Sequence, residues 1–155
     1  LDGRDCLPGP SNMATVPVEI WETITGMTLV SKKMIPDSGG PGKFRGGMGQ
    51  EVTLRNDTGS PMTVLSMANR TEFPAPGYND GHPGTLREHR INGKIIHPKG
   101  AHTLKPADTI TLVQAGGGGI GDPAERSKEK VKRDLSLGLI SEQAAVRHYG
   151  YKISK

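Results

Sequence analysis

Short apolar runs separated by glycine- and proline-rich stretches make up the hydrophobic pattern of this chain. The runs alternate between apolar and polar residues or are rich in β-branched side chains, which is typical of short β-strands. Pro17, within the first run, would restrict that strand to a sheet edge or a strand start. Strands are predicted over residues 16–21, 27–35, 51–55, 62–68, 87–90, 94–97, 102–104 and 109–114.

Turn signals between these runs indicate antiparallel neighbours. Residues 56–60 contain Asn, Asp and Gly and lie between two predicted strands, which predicts a hairpin. Asn92 and Gly93 predict a second hairpin, with a type I′ turn, because both residue types tolerate a positive φ. Residues 71–85 form a long irregular loop, a length that usually indicates a functional or disordered segment.

The C-terminal part changes to a helical pattern. Asp122 as N-cap and Pro123 as the first helical residue predict a helix that ends at Gly138. Ser141 predicts the N-cap of a second, shorter helix that ends at Gly150. We expect the two helices to form a pad on one edge of the sheet.

Together these elements predict a mainly β fold, a sandwich or open barrel of short antiparallel strands with two C-terminal α-helices. We divide the chain into a connecting segment (1–15), a β domain (16–121) and a C-terminal helical pair with its tail (122–155). The first residues are turn-rich and carry neither an initiating methionine nor a signal-peptide pattern. We therefore expect a fragment or a processed chain.

Composition agrees with a turn-rich fold and excludes several classes of partner. The 155 residues include 22 glycines and 12 prolines, and only 33% are hydrophobic. The net charge of +4 comes with one Trp, three Tyr and two Phe, too few aromatics for a nucleic-acid stacking surface. No apolar stretch approaches the roughly 20 residues of a membrane span. The single cysteine, Cys6, fits a reducing compartment and predicts a cytoplasmic protein.

The segment LVQAGGGGIGDP at residues 112–123 raises the possibility of dinucleotide binding. Gly116, Gly118 and Gly121 satisfy G-x-G-x-x-G between a predicted strand and a predicted helix. The residues that follow are charged and helical, however, without the second strand and the acid that hold a ribose. Asp122 would also cap the helix amides and repel a pyrophosphate. We predict instead that the glycines let neighbouring main chains pack closely.

The histidines give no metal pattern, because neither HExxH nor a Cys/His spacing occurs. We therefore predict no metal site and no bound cofactor in this segment. The five residues are His82, His89, His97, His102 and His148.

Arg45 is the most prominent candidate for a ligand contact. It lies beside Gly46 and Gly47, where bare backbone amides and a guanidinium would suit a carboxylate or a phosphate. The alternative is that the glycines form tight turns and Arg45 pairs with an acid such as Asp37. No catalytic residue is assigned. The candidates for contacting substrate or lining a cleft are Asp37, Arg45, Gly46, Gly47, Gly116, Gly117, Gly118, Gly119 and Asp122.

Three blocks resemble consecutive C-terminal blocks of the hydantoinase B/oxoprolinase family. They are PDSGGPGKFRGGMGQ at 36–50, NDGHPGTLREHRING at 79–93, and GGGGIGDPAERSKEKVKRDLSLGLISEQAAVRHYG at 116–150. The resemblance implies the C-terminal portion of a B-type subunit of an ATP-dependent hydrolase that opens hydantoin, 5-oxoproline or lactam rings. His82 and residues 85–90 depart from the simpler Gly/Pro/Ala run that the family often shows.

The resemblance also implies partners and cofactors for the whole enzyme. The partners would be the remainder of the B-type chain and an A-type subunit, associated with the nucleotide, in a hetero-oligomer. ATP with Mg and a divalent metal are implied for that complex, whereas the metal ligands of the family lie upstream of these blocks. We expect the isolated chain to be inactive.

Two alternatives stay open at this point. The first is the corresponding portion of an ATP-dependent ketone carboxylase, acting on acetone or acetophenone. The second is a non-catalytic module that holds the subunits together.

Overall fold

The computed structural model describes residues 1–5 and 16–152; Cys6 and most of the predicted connecting segment lie outside these ranges. The described part contains one short helix, then seven short strands, then a 3₁₀ turn and two further helices. In chain order the elements are α1 (Val18–Thr25), β1 (Met27–Met34), β2 (Gln50–Asn56), β3 (Met62–Met67), β4 (Glu88–Ile91), β5 (Lys94–Ile95), β6 (Lys99–Leu104), β7 (Thr109–Val113), a 3₁₀ turn (Pro123–Glu125), α2 (Lys128–Ser136) and α3 (Glu142–Tyr149). No helix in these ranges is long and apolar enough to cross a membrane.

The strands form two antiparallel sheets that do not close into a barrel. One has five strands in the order β1-β2-β7-β4-β5, and the other pairs β3 with β6. The apolar core contains Met27, Leu104 and Ile110 from both sheets. The turn between β4 and β5 has φ of +49° at Asn92 and +78° at Gly93, as predicted for that hairpin. The mainly antiparallel β class with C-terminal helices is confirmed.

The hairpin predicted from residues 51–55 and 62–68 is wrong. Both edges of β2 are occupied, by β1 and by β7, so β3 pairs with β6 instead. Asn56 directs the change of sheet, because its buried Nδ2 donates to the carbonyl oxygens of Ser60, Leu104 and Lys105 at 2.9, 3.1 and 3.1 Å. The turn at 56–60 therefore leads into the second sheet rather than back along β2.

The edge strand predicted at residues 16–21 is also wrong, because residues 18–21 lie in α1. Its apolar residues fit a helical period as well as an alternating one: Val18 and Trp21 are three apart. Trp21 packs against the β core, whereas Ile24 is 77% exposed. Pro17 lies just before the helix, and Gly26 ends it with a φ of +68°.

The single helix predicted from Asp122 to Gly138 is divided in two. Asp122 accepts a hydrogen bond from the backbone N of Ala124 at 2.8 Å, as expected of an N-cap, but it caps only a 3₁₀ turn. The backbone of Arg126 is extended, with φ −67° and ψ 130°, and Ser127 then caps α2. The second helix begins after Ser141 and ends at Gly150, as predicted.

The two C-terminal helices have a core of their own. Val131, Ile140, Ala145 and Tyr149 form this second cluster. The helices contact the glycine-rich segments, where the backbone N of Asp37 donates to a carbonyl between α2 and α3 at 3.0 Å. Helices α2 and α3 thus lie against the glycine-rich part of the chain.

Candidate functional site

Glycine-rich segments lie side by side without forming regular strands. The backbone N of Gly40 donates to Gly117 O at 2.8 Å, and the backbone N of Gly117 donates to Gly47 O at 2.9 Å. The loop at 71–85 joins them, because the backbone N of Gly119 donates to His82 O at 2.9 Å. We call this assembly, formed by residues 38–49, 75–84 and 116–121, the glycine layer.

Most glycines of the glycine layer have no space for a Cβ. A Cβ on Gly46 would lie 2.1 Å from Gly117 O, and one on Gly116 would lie 1.9 Å from Ser38 O. Both distances are far shorter than any van der Waals contact, so only glycine permits these main chains to approach. The prediction that the glycines serve backbone packing is confirmed. The same holds for Gly47, Gly118 and Gly119, each with a backbone oxygen closer than 2.4 Å.

A buried ion cluster connects the glycine layer to α2. The Nη2 of Arg126 lies 2.7 Å from Asp134 Oδ2, and its Nη1 lies 2.6 Å from Asp2 Oδ1. The Nε of Arg45 lies 3.4 Å from the same oxygen of Asp134. Arg45, Arg126 and Asp134 are each 4% exposed, so these charges interact with little screening by water.

Arg45 therefore pairs with Asp134 rather than with Asp37. Its Nη1 also donates to the carbonyl oxygen of Gly46 at 2.7 Å and lies 3.5 Å from Asp5 Oδ1. The guanidinium is thus held among protein groups within the cluster.

The N-terminal residues complete the charge balance of the cluster. Burial acts to raise the pKa of Asp2, but its hydrogen bond and charge interaction with Arg126, with smaller effects of Arg45 and Lys130, lower that pKa below its usual 3.8. Arg126 also lies over the ring of Tyr149, 5.8 Å from its centroid. Asp2 is therefore ionised at neutral pH and joins the N-terminal residues to the helices.

A cleft of about 280 Å³ opens between the glycine layer and α3. Asp37 and two histidines line it, and the rings of His82 and His148 are 5.5 Å apart in an edge-to-face arrangement. Asp37 Oδ1 accepts from the backbone N of Ser141 at 2.7 Å. Burial, then the charges of His82 and Arg147, lower the pKa of His148 against the opposite effect of Asp37. A neutral imidazole such as that of His148 both donates and accepts hydrogen bonds, so this cleft suits a small polar molecule.

The predicted site residues separate into three places. Asp37 lies in the cleft, Arg45 lies in the ion cluster, and Asp122 is an exposed cap beyond the glycine layer. The predicted glycines, residues 46–47 and 116–119, all belong to the glycine layer.

Sequence patterns did not predict a site at Arg126 and Asp134, nor did they bring His82 and His148 together. Both charged residues lie in a stretch whose alternating charges predict a solvated helix face. Nothing local distinguishes a buried arginine from an exposed one, whereas the loop that carries His82 had already been noted for its unusual length.

No three described side chains of the His, Cys, Asp or Glu type lie together as a metal site would require. The described residues therefore do not fit the divalent metal that the family resemblance implies for the whole enzyme.

The sequence of this chain matches a known protein family and is similar to longer known proteins. The model of the family described as hydantoinase B/oxoprolinase matches residues 1–123. An uncharacterized protein of Methanocaldococcus jannaschii is 32% identical over 90% of the chain, and the caprolactamase subunit beta of Pseudomonas jessenii is 30% identical over 88%. The chain spans 25% of the length of each of these relatives.

A solved structure shares the fold. The nucleotide-free structure of an acetone carboxylase superposes with a TM-score of 0.79, covering 99% of this chain and 25% of that chain at 20% identity. This fold therefore occurs within a much longer polypeptide.

Proposed function

Because this chain belongs to the hydantoinase B/oxoprolinase family, we propose that it acts as the C-terminal portion of a B-type subunit of an ATP-dependent cyclic-amide hydrolase. Its substrate class would be hydantoins, 5-oxoproline or lactams. Its partners would be the remaining B-type sequence and an A-type subunit, which together would bind ATP, Mg and the divalent metal. The relative named caprolactamase subunit beta supports this proposal.

The chemistry explains why such an enzyme uses ATP. Resonance strengthens the C–N bond of an amide, and transfer of the γ-phosphoryl group to the amide oxygen would remove that resonance. Water would then add to the carbon and the C–N bond would break, which frees the ring nitrogen as an amine and leaves an acyl phosphate. A second water would hydrolyse the acyl phosphate, so that the ring-opened acid, phosphate and ADP are the products. Residues of this chain would position the ring rather than perform the phosphoryl transfer.

The cleft is the observation that supports a direct role in binding. Asp37 would accept a hydrogen bond from a ring N–H, and the neutral imidazole of His148, whose pKa is lowered, would donate to the carbonyl oxygen. The glycine layer forms one rigid wall and α3 the other. We therefore propose that the candidate glycines shape the cleft from behind while Asp37 faces the ligand.

Activity measurements test this proposal in two steps. The purified chain alone should show neither ATP hydrolysis nor opening of caprolactam, hydantoin or 5-oxoproline. Combined with the remaining B-type sequence and the A-type subunit, it should support ring opening, and Asp37→Asn should lower that activity by about tenfold or more. The matched control Asp80→Asn, an exposed loop acid outside the cleft, should leave it unchanged. Turnover by the isolated chain would contradict the proposal.

The ketone carboxylase is the second candidate, and the fold shared with acetone carboxylase is compatible with it. That reaction would incorporate bicarbonate into the product. Labelled bicarbonate supplied to the complete complex with acetone distinguishes the two, because a cyclic-amide hydrolase would incorporate no label.

An exposed apolar surface favours an additional role in assembly. Leu65, Met67 and Phe73 are 76%, 85% and 80% exposed near the β3–β6 sheet. Such side chains on a small domain usually mark a contact with another polypeptide. In a pull-down, the double substitution Leu65→Ser and Met67→Ser should reduce retention of the separately expressed B-type remainder, whereas Val146→Ser on α3 should not. Equal retention of the B-type remainder by the unsubstituted chain, the double variant and the Val146→Ser variant would contradict this role.

A further inference from the structure

The space between the two sheets changes from apolar to polar along its length. At one end, Leu104 and Ile110 belong to the apolar core. At the other end, Ser66 and His89 are buried, at 4% and 5% exposure. A polar group in such a position needs a hydrogen-bond partner, because burial without one costs about 1–3 kcal/mol.

The hydrogen bonds of Ser66 determine the tautomer of His89. The Ser66 hydroxyl donates to the carbonyl oxygen of Pro98 at 2.7 Å, and its oxygen lies 2.7 Å from His89 Nδ1. The hydroxyl proton is already used, so Nδ1 carries the ring proton and donates to Ser66. His89 Nε2 is then an acceptor, and it is buried without a hydrogen-bond partner within residues 1–5 and 16–152.

The Nε of Arg87, a half-buried residue, is a second buried nitrogen without a partner among the described residues. Arg87 precedes His89 by two residues, so in an extended chain both side chains lie on the same face. Its Nε is buried and makes no hydrogen bond to any group in the described ranges, nor does a described carboxylate pair with it. Burial lowers the pKa of Arg87, and burial followed by the charges of Arg87 and His102 lowers that of His89.

The neighbouring surface is basic as well. Beside the polar end of the intersheet space lies a hollow of about 380 Å³. Its lining includes Arg70, His97 and Lys99, and Glu72 is its acidic residue. The hollow adjoins the buried pair, because the backbone N of Arg87 donates to Arg70 O at 2.8 Å. Positive charge therefore exceeds negative charge at this end of the sheets.

We propose that this end of the intersheet space binds an oxyanion, a carboxylate or phosphate group, between Arg87 and His89. The Arg87 guanidinium would donate from Nε. His89 would take up a proton at Nε2 and become a second donor, while Nδ1 keeps its bond to Ser66. An anion would thus satisfy both buried nitrogens and compensate the charge of Arg87. Arg87 and His102 are the charged and titratable groups that act on His89. This inference does not depend on the proposed hydrolase function.

Nuclear magnetic resonance of the purified chain tests the site. Inorganic phosphate and, separately, acetate are added while the imidazole nitrogens of His89 are followed. We expect a saturable shift of His89 Nε2 toward the protonated form with at least one anion. About a tenfold preference for phosphate would assign the site to a phosphorylated compound, and the same preference for acetate would assign it to a carboxylate.

Substitutions connect the shift to Arg87. Arg87→Gln should weaken binding by about tenfold or more. Arg90→Gln is the matched control, because Arg90 points to the opposite face of the strand and pairs with Glu88. Should Arg87→Gln fail to fold, Arg87→Lys gives the same comparison, since it keeps the charge but loses the Nε donor. No saturable shift with either anion, or equal weakening by the Arg87 and Arg90 substitutions, would overturn the proposal.

Discussion

At the residue scale, the stability of this protein depends on a few charged groups that lie among backbone rather than among apolar side chains. Arg126 and Asp134 meet at 2.7 Å with almost no exposure. Removing one partner of a buried pair leaves the other without compensation, and that is more costly than the pair itself is favourable.

Asp134→Ala is therefore expected to lower the free energy of unfolding by about 3–5 kcal/mol, because it removes the buried carboxylate that Arg45 and Arg126 share. Only the more exposed carboxylates of Asp2 and Asp5 then remain beside the two guanidinium groups. Urea denaturation measures the change. Glu125→Ala is the matched control: Glu125 pairs with Lys43 at 2.8 Å, but both side chains are about half exposed. That substitution should cost less than about 1 kcal/mol. Similar losses in both variants would contradict the role given to burial.

The lowered pKa of Asp2 predicts that the stability of the protein depends on pH. In the folded protein this pKa lies below the usual 3.8, so the contribution of the carboxylate to the free energy of unfolding is present above pH 3.8 and is lost as the pH falls through the folded pKa. The difference in unfolding free energy between the natural chain and Asp2→Asn should therefore shrink as the pH falls from about 7 to about 3. A difference that stays constant over this range would show that Asp2 does not act through its charge.

The glycines provide a graded test of backbone packing. A Cβ on Gly116 would lie 1.9 Å from a backbone oxygen, whereas one on Gly117 would lie 3.1 Å from the nearest backbone atom. Gly116→Ala should lower the melting temperature strongly, at a cost of about 3 kcal/mol or more, and Gly117→Ala by clearly less. Equal effects at the two neighbouring positions would indicate that space is not the cause.

At the element scale, local signals predicted most strands and failed where tertiary contacts decide. The Asn92-Gly93 turn needs only its own backbone angles, and it formed as predicted. Asn56 looks like an equally good turn residue, but occupied edges on both sides of β2 send the chain to another sheet. Residues 16–21 satisfy two periods at once, so sequence alone does not choose between strand and helix.

Part of the candidate site was likewise predictable from local sequence, and part of it depends on tertiary contacts. The close packing of the glycines was predictable, because several glycines in a short segment are typical of places where neighbouring main chains approach closely. The pairing of Arg45 with Asp134 was not, since 89 residues separate them and several acids compete for the same arginine.

The caps of the C-terminal helices are a further test at this scale. The Ser141 hydroxyl accepts from the backbone N of Ala144 at 3.1 Å, whereas that of Ser127 lies at a weaker 3.4 Å from Lys130 N. Ser141→Ala should therefore lower the unfolding free energy by about 1 kcal/mol, and Ser127→Ala by less. Ser141→Asp should restore most of the loss, since aspartate is also a good N-cap; failure of that rescue would contradict a capping role.

At the scale of the whole molecule, the glycine layer gives the fold an unusual interior. Two small apolar clusters, one between the sheets and one within the helices, lie on either side of a region held by backbone hydrogen bonds and buried charges. We expect such a region to be rigid, because backbone hydrogen bonds join its segments and most of its glycines leave no room for a side chain. That rigidity suits the wall of a cleft in a larger enzyme, as we propose.

The central claim is that the tetraglycine segment packs main chains together and does not hold a nucleotide. The most direct measurement is a titration of the purified chain with Mg·ATP and with NAD, followed through the backbone amide resonances of residues 116–119. We predict that these resonances do not move at millimolar ligand, because carbonyl oxygens already occupy the space around the glycines. Saturable shifts at these four amides would contradict the account.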